Sequence, residues 1–291
     1  MELIVTVHQM QQYAEQQRCA GRRIAVVPTM GYFHEGHLSL IRRARQLADT
    51  VITTLFVNPT QFAPGEDYQR YPRDLERDSQ LAERSGCDVL FAPSLDEVYP
   101  QGYATTITVH GITEKFEGAF RPGHFQGVAT IVAKLFLATK PHVAVFGQKD
   151  WQQTLVVRQL VRDLNFAIEI VVAPTVREPD GLAMSSRNVY LSPGERQKAT
   201  VLYRALQRAH CLVKQGERRR LVLVHAMEAE LRQVPELSID YAAAAEAMTL
   251  EEPEEFTAGQ TVVLLVAARI GATRLIDNDL VQVPSSEDAC A

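Results

Sequence analysis

Apolar residues fall in short clusters through the first half of the chain, and the clusters alternate between two periods. Ile24 to Val27 is compact and β-branched and predicts a strand, which the Gly31 turn follows. From His37 to Ala48, Leu38, Ile41, Ala44 and Ala48 share one helical stripe. Val51 to Val57 predicts a second strand, which Pro59 stops. Pro72 suits the first turn of a helix reaching Ser85, with Gly86 as its cap. The same reasoning predicts strands over Asp88–Phe91, His142–Phe146 and Ile168–Val172, and helices over Phe125–Ala138 and Gln152–Leu164.

Strands alternating with helices imply a mostly parallel sheet covered on both faces, hence a doubly wound α/β domain over residues 1–176. Ligands meet such sheets at the carboxyl ends of the strands. The loops to watch are therefore 28–37, 58–71, 147–150 and 173–188. Beyond residue 176 the pattern changes. Helical stretches at Glu195–Gln215 and Arg220–Val234 precede strand-like runs at Ser238–Ala245, Thr261–Ile270 and Thr273–Ile276. That order predicts a second, smaller α+β domain over 177–291. The tail Pro284–Ala291 is expected to fray.

Composition narrows the class. A length of 291 residues is compatible with about two domains. Hydrophobic residues at 46% and charged residues at 22% exclude wholesale disorder. A net charge of −5, with neither half polarised, gives no footprint for nucleic acid. The cysteines at 19, 87, 211 and 290 form no CxxC pair, which fits free thiols in a reducing compartment better than a disulfide framework. The start, MELIVTVHQMQQYAEQQ, lacks the basic and apolar regions of a secretion signal. The longest purely apolar run, Val262–Ala268, is far short of the roughly 20 residues that span a bilayer. A soluble cytoplasmic protein without a membrane or nucleic-acid partner is expected.

Several loops hold residues suited to phosphate chemistry. Pro28 to His37 lies between a strand and a helix and carries Met30, Gly31, His34, Gly36 and His37. A helix N-terminus offers unpaired N–H groups and a positive dipole end, and two histidines can add donors. Taken alone, the histidines serve equally as helix caps or solvent-facing side chains, and no HExxH pattern supports zinc. At Gly147-Gln148-Lys149-Asp150, Gly147 opens the backbone, Lys149 supplies a point charge, and Asp150 suits a helix cap or a ribose hydroxyl. Met184-Ser185-Ser186-Arg187-Asn188 follows a Pro-Asp-Gly turn and combines hydroxyls with a guanidinium. Asn58 to Phe62 puts the neutral Gln61 beside an aromatic ring, which suits a small, polar, unphosphorylated substrate. Arg121 to Phe125 reads as a turn or as another phosphate-facing loop. No Gly-x-Ser-x-Gly, Walker A or GxGxxG string occurs, which disfavours serine hydrolases, P-loop enzymes and ordinary dinucleotide dehydrogenases.

Together these strings resemble the pantothenate synthetase (pantoate–β-alanine ligase) family. They are Pro-Thr-Met-Gly-x-x-His-x-Gly-His at 28–37, Asn-Pro-x-Gln-Phe at 58–62, Tyr-Pro-Arg at 71–73 and Arg-Pro-Gly-His-Phe at 121–125. Gly-x-Lys-Asp at 147–150 with Gln152-Gln153, Met-Ser-Ser-Arg-Asn at 184–188, and the run from Leu265 to Asn278 complete the set. The resemblance spans nearly the whole chain. Departures are Gln148 where the family usually has Glu, Asp74 where Thr is usual, and the stretch Ala242–Phe256.

The resemblance implies a Rossmann-like nucleotidylyltransferase fold, with His34-x-Gly-His37 as the signature shared with class I aminoacyl-tRNA synthetases. It implies that ATP and pantoate give pantoyl adenylate and pyrophosphate, after which β-alanine displaces AMP. It assigns His34, His37, Lys149 and Arg187 to catalysis. It assigns Met30, Gly31, Gly147, Asp150, Val176, Met184, Ser185 and Ser186 with them to ATP, and Gln61 and Gln153 to pantoate and β-alanine. The family labels the position of His37 a proton donor, whereas charge stabilisation during phosphoryl chemistry favours reading it first as a phosphate ligand. Mg2+ is implied with ATP, its ligands unknown, Asp78 being the acidic candidate. A homodimer is implied, as is a second domain that closes over the active site. A related adenylyltransferase acting on a phosphorylated substrate would need a basic pocket that 58–62 lacks, and a mere nucleotide sensor would shed Lys149 or Arg187.

Overall fold

The computed structural model describes residues 1–285. It divides into two units, Met1–Val176 and Arg177–Ala291. The tail expectation falls largely on residues 286–291, outside the described residues; before them, the Pro284 carbonyl accepts from Arg218.

The first unit begins with strand β1 (Glu2–Ile4) and helix α1 (Val7–Cys19), neither foreseen. Both carry weak signals. β1 has only Ile4 buried, and α1 is largely polar with Met10 and Ala14 inward. Then come β2 (Ile24–Thr29), α2 (Glu35–Leu47), β3 (Thr50–Leu55), α3 (Leu75–Arg84), β4 (Val89–Phe91) and the short α4 (Leu95–Val98) and α5 (Glu117–Phe120). α6 (His124–Thr139), β5 (Val143–Gly147), α7 (Trp151–Asp163) and β6 (Glu169–Ala173) complete it. Pro72 lies ahead of α3 rather than in its first turn, because Asp74 takes the cap by accepting the Arg77 N–H at 3.0 Å. Thr and Asp are both capping residues, which accounts for Asp74 where the family usually has Thr.

The six strands are all parallel and ordered β1-β4-β3-β2-β5-β6. The apolar faces of β2 and β5 are sealed on one side by α6, whose buried residues run from Phe125 to Ala138. On the other side Leu40, Ile41 and Ala44 of α2 pack against Ala25, Val27 and Val145. Chain order reverses at β2, which pairs with β3 on one edge and β5 on the other. The loops after β2 and β5 therefore open side by side.

The second unit contains α8 (Pro193–Lys198), α9 (Val201–Lys214), α10 (Arg220–Leu231), β7 (Leu237–Glu246), β8 (Thr261–Ile270) and β9 (Thr273–Gln282). The single helix expected over 195–215 is two. Thr200 and Leu202 bond three residues back rather than four, and this tightened step separates α8 from α9. β9 runs six residues past the predicted Ile276 because pairing with β8 carries it through Asp277, Asn278 and Asp279. The antiparallel order is β7-β8-β9, with Leu202, Leu206, Leu223 and Met227 of the helices in a core with Leu264 and Val266.

Candidate active site

α2 starts at Glu35, two residues earlier than periodicity suggests, so both histidines belong to its first turn. His34 is the N-cap: its Nδ1 accepts the Gly36 N–H at 3.1 Å. The His34 N–H donates in turn to Nδ1 of His37 at 3.3 Å. The cap role and the donor role thus coexist. A nitrogen that accepts a backbone N–H carries no proton, so each neutral ring holds its proton on Nε2. Burial, and then the nearby Lys149 charge, push the His34 pKa down to about 4. Burial, His34 and Lys149 hold His37 well below the ordinary histidine range. Near pH 7 both are neutral Nε2–H donors at a helix N-terminus.

The turn before them is braced from below. Gly31 (φ +87) and Tyr32 (φ +52) adopt left-handed backbone in succession, and a Cβ at Gly31 would lie 3.1 Å from Leu55 Cγ. The fully buried Asp78 accepts the Tyr32 N–H at 2.5 Å and the Phe33 N–H at 2.7 Å, with Arg77 at 3.3 Å. Arg77 donates to the Phe33 carbonyl at 2.8 Å and lies over the Tyr32 ring. The magnesium expectation for Asp78 is therefore corrected: its oxygens face amide hydrogens and a guanidinium. Among the described residues no group of three His, Cys, Asp or Glu side chains could hold a metal.

Across the switch point, Gly147 ends β5 and Gln148–Asp150 forms a 3-10 turn. Lys149 is 21% exposed, and its Nζ is 3.8 Å from Asp150. Asp150 is exposed and makes no side-chain cap, which settles against that of its two sequence roles. A Cβ on Gly147 would meet nothing closer than Leu40 at 3.9 Å, so packing within the chain does not require glycine there. The neighbouring glutamines diverge. Gln152 is buried and donates to the Ile112 and Lys115 carbonyls, whereas Gln153 is half-buried and makes no side-chain hydrogen bond among the described residues.

Gln61 ends a 3-10 turn, Pro59–Gln61, capped by buried Asn58. Asn58 Oδ1 accepts from the Thr60 N–H and the Tyr99 hydroxyl. Asn58 Nδ2 donates to the Gly127 carbonyl at 3.1 Å and to Gln61 Oε1 at 3.2 Å. Gln61 Nε2 then points to Met30 Sδ at 3.0 Å, which joins this turn to the histidine loop. His124 donates from Nδ1 to the Gln61 carbonyl at 2.8 Å, and burial followed by the Arg121 charge pushes its pKa down to about 4. Arg121 is committed to Glu66 through two 2.8 Å bonds and to the Gln61 carbonyl at 3.2 Å. The Arg121 loop is thus a brace, and its phosphate-facing alternative is set aside. Sequence reasoning missed Gly127, where a Cβ would lie 2.4 Å from the Thr60 carbonyl oxygen. A glycine within an otherwise apolar helix was the available signal.

In the second unit, Ser185 caps the 3-10 turn Ser186–Tyr190 by accepting the Arg187 N–H. Ser186 is buried; Met184 and Arg187 are half-buried. Val176, also half-buried, is the last residue of the first unit. Cys19, Cys87 and Cys211 are free thiols, and Cys290 lies outside the described residues. No described helix is long and apolar enough to cross a membrane.

Residues 2–280 match the model of the family described as pantoate-beta-alanine ligase. The pantothenate synthetase of Moorella thermoacetica is 55% identical over 283 residues, covering 97% of this chain and 99% of that protein. The crystal structure of pantothenate synthetase from Thermus thermophilus is 50% identical, covers 98% of this chain and all of that one, and superposes with a TM-score of 0.90. A pantoate-beta-alanine ligase from Francisella tularensis, solved with beta-gamma ATP and beta-alanine, is 34% identical, with coverage of 96% and 97% and a TM-score of 0.79.

Proposed function

The chain belongs to the pantoate–β-alanine ligase family, and we propose from that premise that it joins pantoate to β-alanine at the expense of ATP, through a pantoyl adenylate. One observation carries the residue roles: two neutral imidazoles, each with its proton on Nε2, stand at the start of α2, beside Lys149 across the switch point. This is a donor set for an anion, and neither ring is a cationic acid at neutral pH. His34, His37 and Lys149 stabilise charge moving toward pyrophosphate. Met30 and Gly31 shape the loop, Gly147 leaves room for close backbone approach, and Asp150 and the backbone at Val176 hold ribose and adenine. Met184, Ser185, Ser186 and Arg187 add donors to the same nucleotide.

Gln61 presents Nε2, because Asn58 occupies Oε1, and so it reads acceptor oxygens of pantoate. Gln153 supplies a second neutral contact. Neutral amides hold a carboxylate without quenching its nucleophilicity. In the first step a carboxylate oxygen bonds to the α-phosphorus and the bond to pyrophosphate breaks. In the second the β-alanine nitrogen attacks the acyl carbon, the carbon–oxygen bond to phosphate breaks, and AMP leaves. Mg2+ enters with ATP as part of the substrate, held by phosphate oxygens and water. We further propose a cytoplasmic homodimer.

Pantoate labelled with oxygen-18 in its carboxylate tests the chemistry. One labelled oxygen should reach AMP per turnover, with pyrophosphate released when β-alanine is withheld. Label in inorganic phosphate with ADP as product would overturn the adenylate route.

A further inference from the structure

We propose that Arg177 and Asp277 form a positioning pair that holds the turn at 184–188 in its nucleotide-ready form before nucleotide arrives; this rests on the reading that the turn meets ATP. The run Leu265–Asn278 matched the family in sequence but acquired no role in the chemistry above. Its end now has one. Arg177 is the first residue of the second unit. It donates to both carboxylate oxygens of Asp277, from Nη1 at 2.6 Å and from Nη2 at 3.0 Å. Nη1 also donates to the Gly181 carbonyl at 3.1 Å and Nη2 to the Asn278 carbonyl at 3.2 Å. The guanidinium lies 4.6 Å from the centre of the Tyr203 ring. Asp277 is 3% exposed, in the middle of β9. One planar group thus joins the start of the loop, the tip of its turn, the sheet and α9, which needs a fork rather than a point charge.

The rest of the segment continues from that anchor. Arg177 and Ala183 pair as an antiparallel bridge, and Glu178 donates to the Leu182 carbonyl at 2.8 Å. Gly181 sits against Tyr203 so closely that a Cβ would be 2.0 Å from its ring. Asp180 at the tip is held by Arg196 at 2.7 and 3.0 Å. Leu182 and Ala183 are buried, and the Ala183 carbonyl accepts from Asn188 Nδ2 at 3.1 Å, closing the loop on its far side. Residues 184–188 are therefore spanned between two fixed points of one body. A turn held this way spends less ordering entropy on binding than a loose one.

Arg177→Lys keeps the charge and removes the fork; Asp277→Asn keeps the shape and removes the charge. Each should raise KM for ATP by at least about tenfold while KM for pantoate and β-alanine stays within about twofold. Amide hydrogen exchange over 183–188 in nucleotide-free protein should quicken by at least about tenfold, ahead of β7–β9. A merely structural pair would loosen the sheet as much as the turn and leave the KM values unsplit, which would overturn the proposal. If the single variants fold poorly, the Arg177→Met/Asp277→Leu double variant removes both charges and fills the space beside Tyr203. It should fold and still show the raised KM for ATP; a parental KM would also overturn the proposal. Arg187→Ala, run alongside, separates the two readings. If it leaves ATP dependence untouched, the nucleotide role of the turn fails and the proposal falls with it. If it weakens ATP binding while the Arg177 and Asp277 variants do not, only the positioning pair fails.

Discussion

Replacing Gly127 by alanine isolates the link between packing and chemistry. Gly127 lies on α6 where the helix meets the turn that presents Gln61. A Cβ there would stand 2.4 Å from the Thr60 carbonyl oxygen and 2.7 Å from the Gln61 nitrogen. Both obstacles are backbone, so no side chain can swing aside. Restoring an ordinary contact of 3.4 Å moves helix and turn apart by 1.0 Å, the difference of those distances. Overpacking of this kind costs about 1–3 kcal/mol, and the strained Asn58–Gly127 hydrogen bond adds about 1 kcal/mol. The sum, about 2–4 kcal/mol, lowers the thermal midpoint by roughly 4–16 °C for a unit of this size. The same displacement carries Gln61 away from its working position, and a shift of about 1 Å in a reacting group can cost about 10²-fold in rate. Thermal unfolding measures the first effect. Pyrophosphate release from ATP and pantoate without β-alanine measures the second, as a raised KM for pantoate and a slowed step, with KM for ATP little changed. A Gly127→Ala protein with the parent's midpoint and pantoate dependence would refute the close-approach argument.

Gly147→Ala should behave oppositely: stability within about 0.5 kcal/mol of the parent, because its Cβ meets only Leu40 at 3.9 Å, but a raised KM for ATP. An unchanged KM would show that no ligand approaches that backbone. Lys149→Ala should slow adenylate formation by about 10²–10³-fold in a folded protein, and near-normal formation would remove Lys149 from the charge-stabilising set. The histidines predict acid sensitivity. His34 and His124 titrate near 4 when folded, against an ordinary 6.5, so their contribution is present above 6.5 and is lost as pH falls toward 4. By pH 5 the loss is about 2 kcal/mol for His124 and less for the more exposed His34. Urea midpoints at pH 7 and 5 measure it, with His124→Asn as the flatter control; equal midpoints for the parent would contradict the buried, neutral state.

Local pattern was enough for most elements of the first unit and all three strands of the second. Burial on both faces of a parallel sheet makes β2 and β5 largely apolar runs and β3 a β-branched one, and amphipathic stripes mark α2 and α3. Short motifs carry the candidate chemistry because it depends on residue types at fixed spacing. Where several forces competed, local reading slipped. β1 and α1 have few inward residues, Asp74 rather than Pro72 sets the start of α3, and the tightened step at Thr200 separates the polar α8 from the amphipathic α9. Only the tertiary structure decided partners. Strand order brings Lys149 beside residues more than a hundred positions earlier, and the sheet pairs Arg177 with Asp277 a hundred residues later. It turns Asp78 from a candidate metal ligand into a clamp on two amides, and Arg121 from a candidate phosphate contact into a brace. The protonation of His34 and His37 is likewise set by backbone N–H groups in a folded helix start. Periodicity records which face of an element is dry; the partner of a buried polar group depends on which other segments the fold brings within about 3 Å of it.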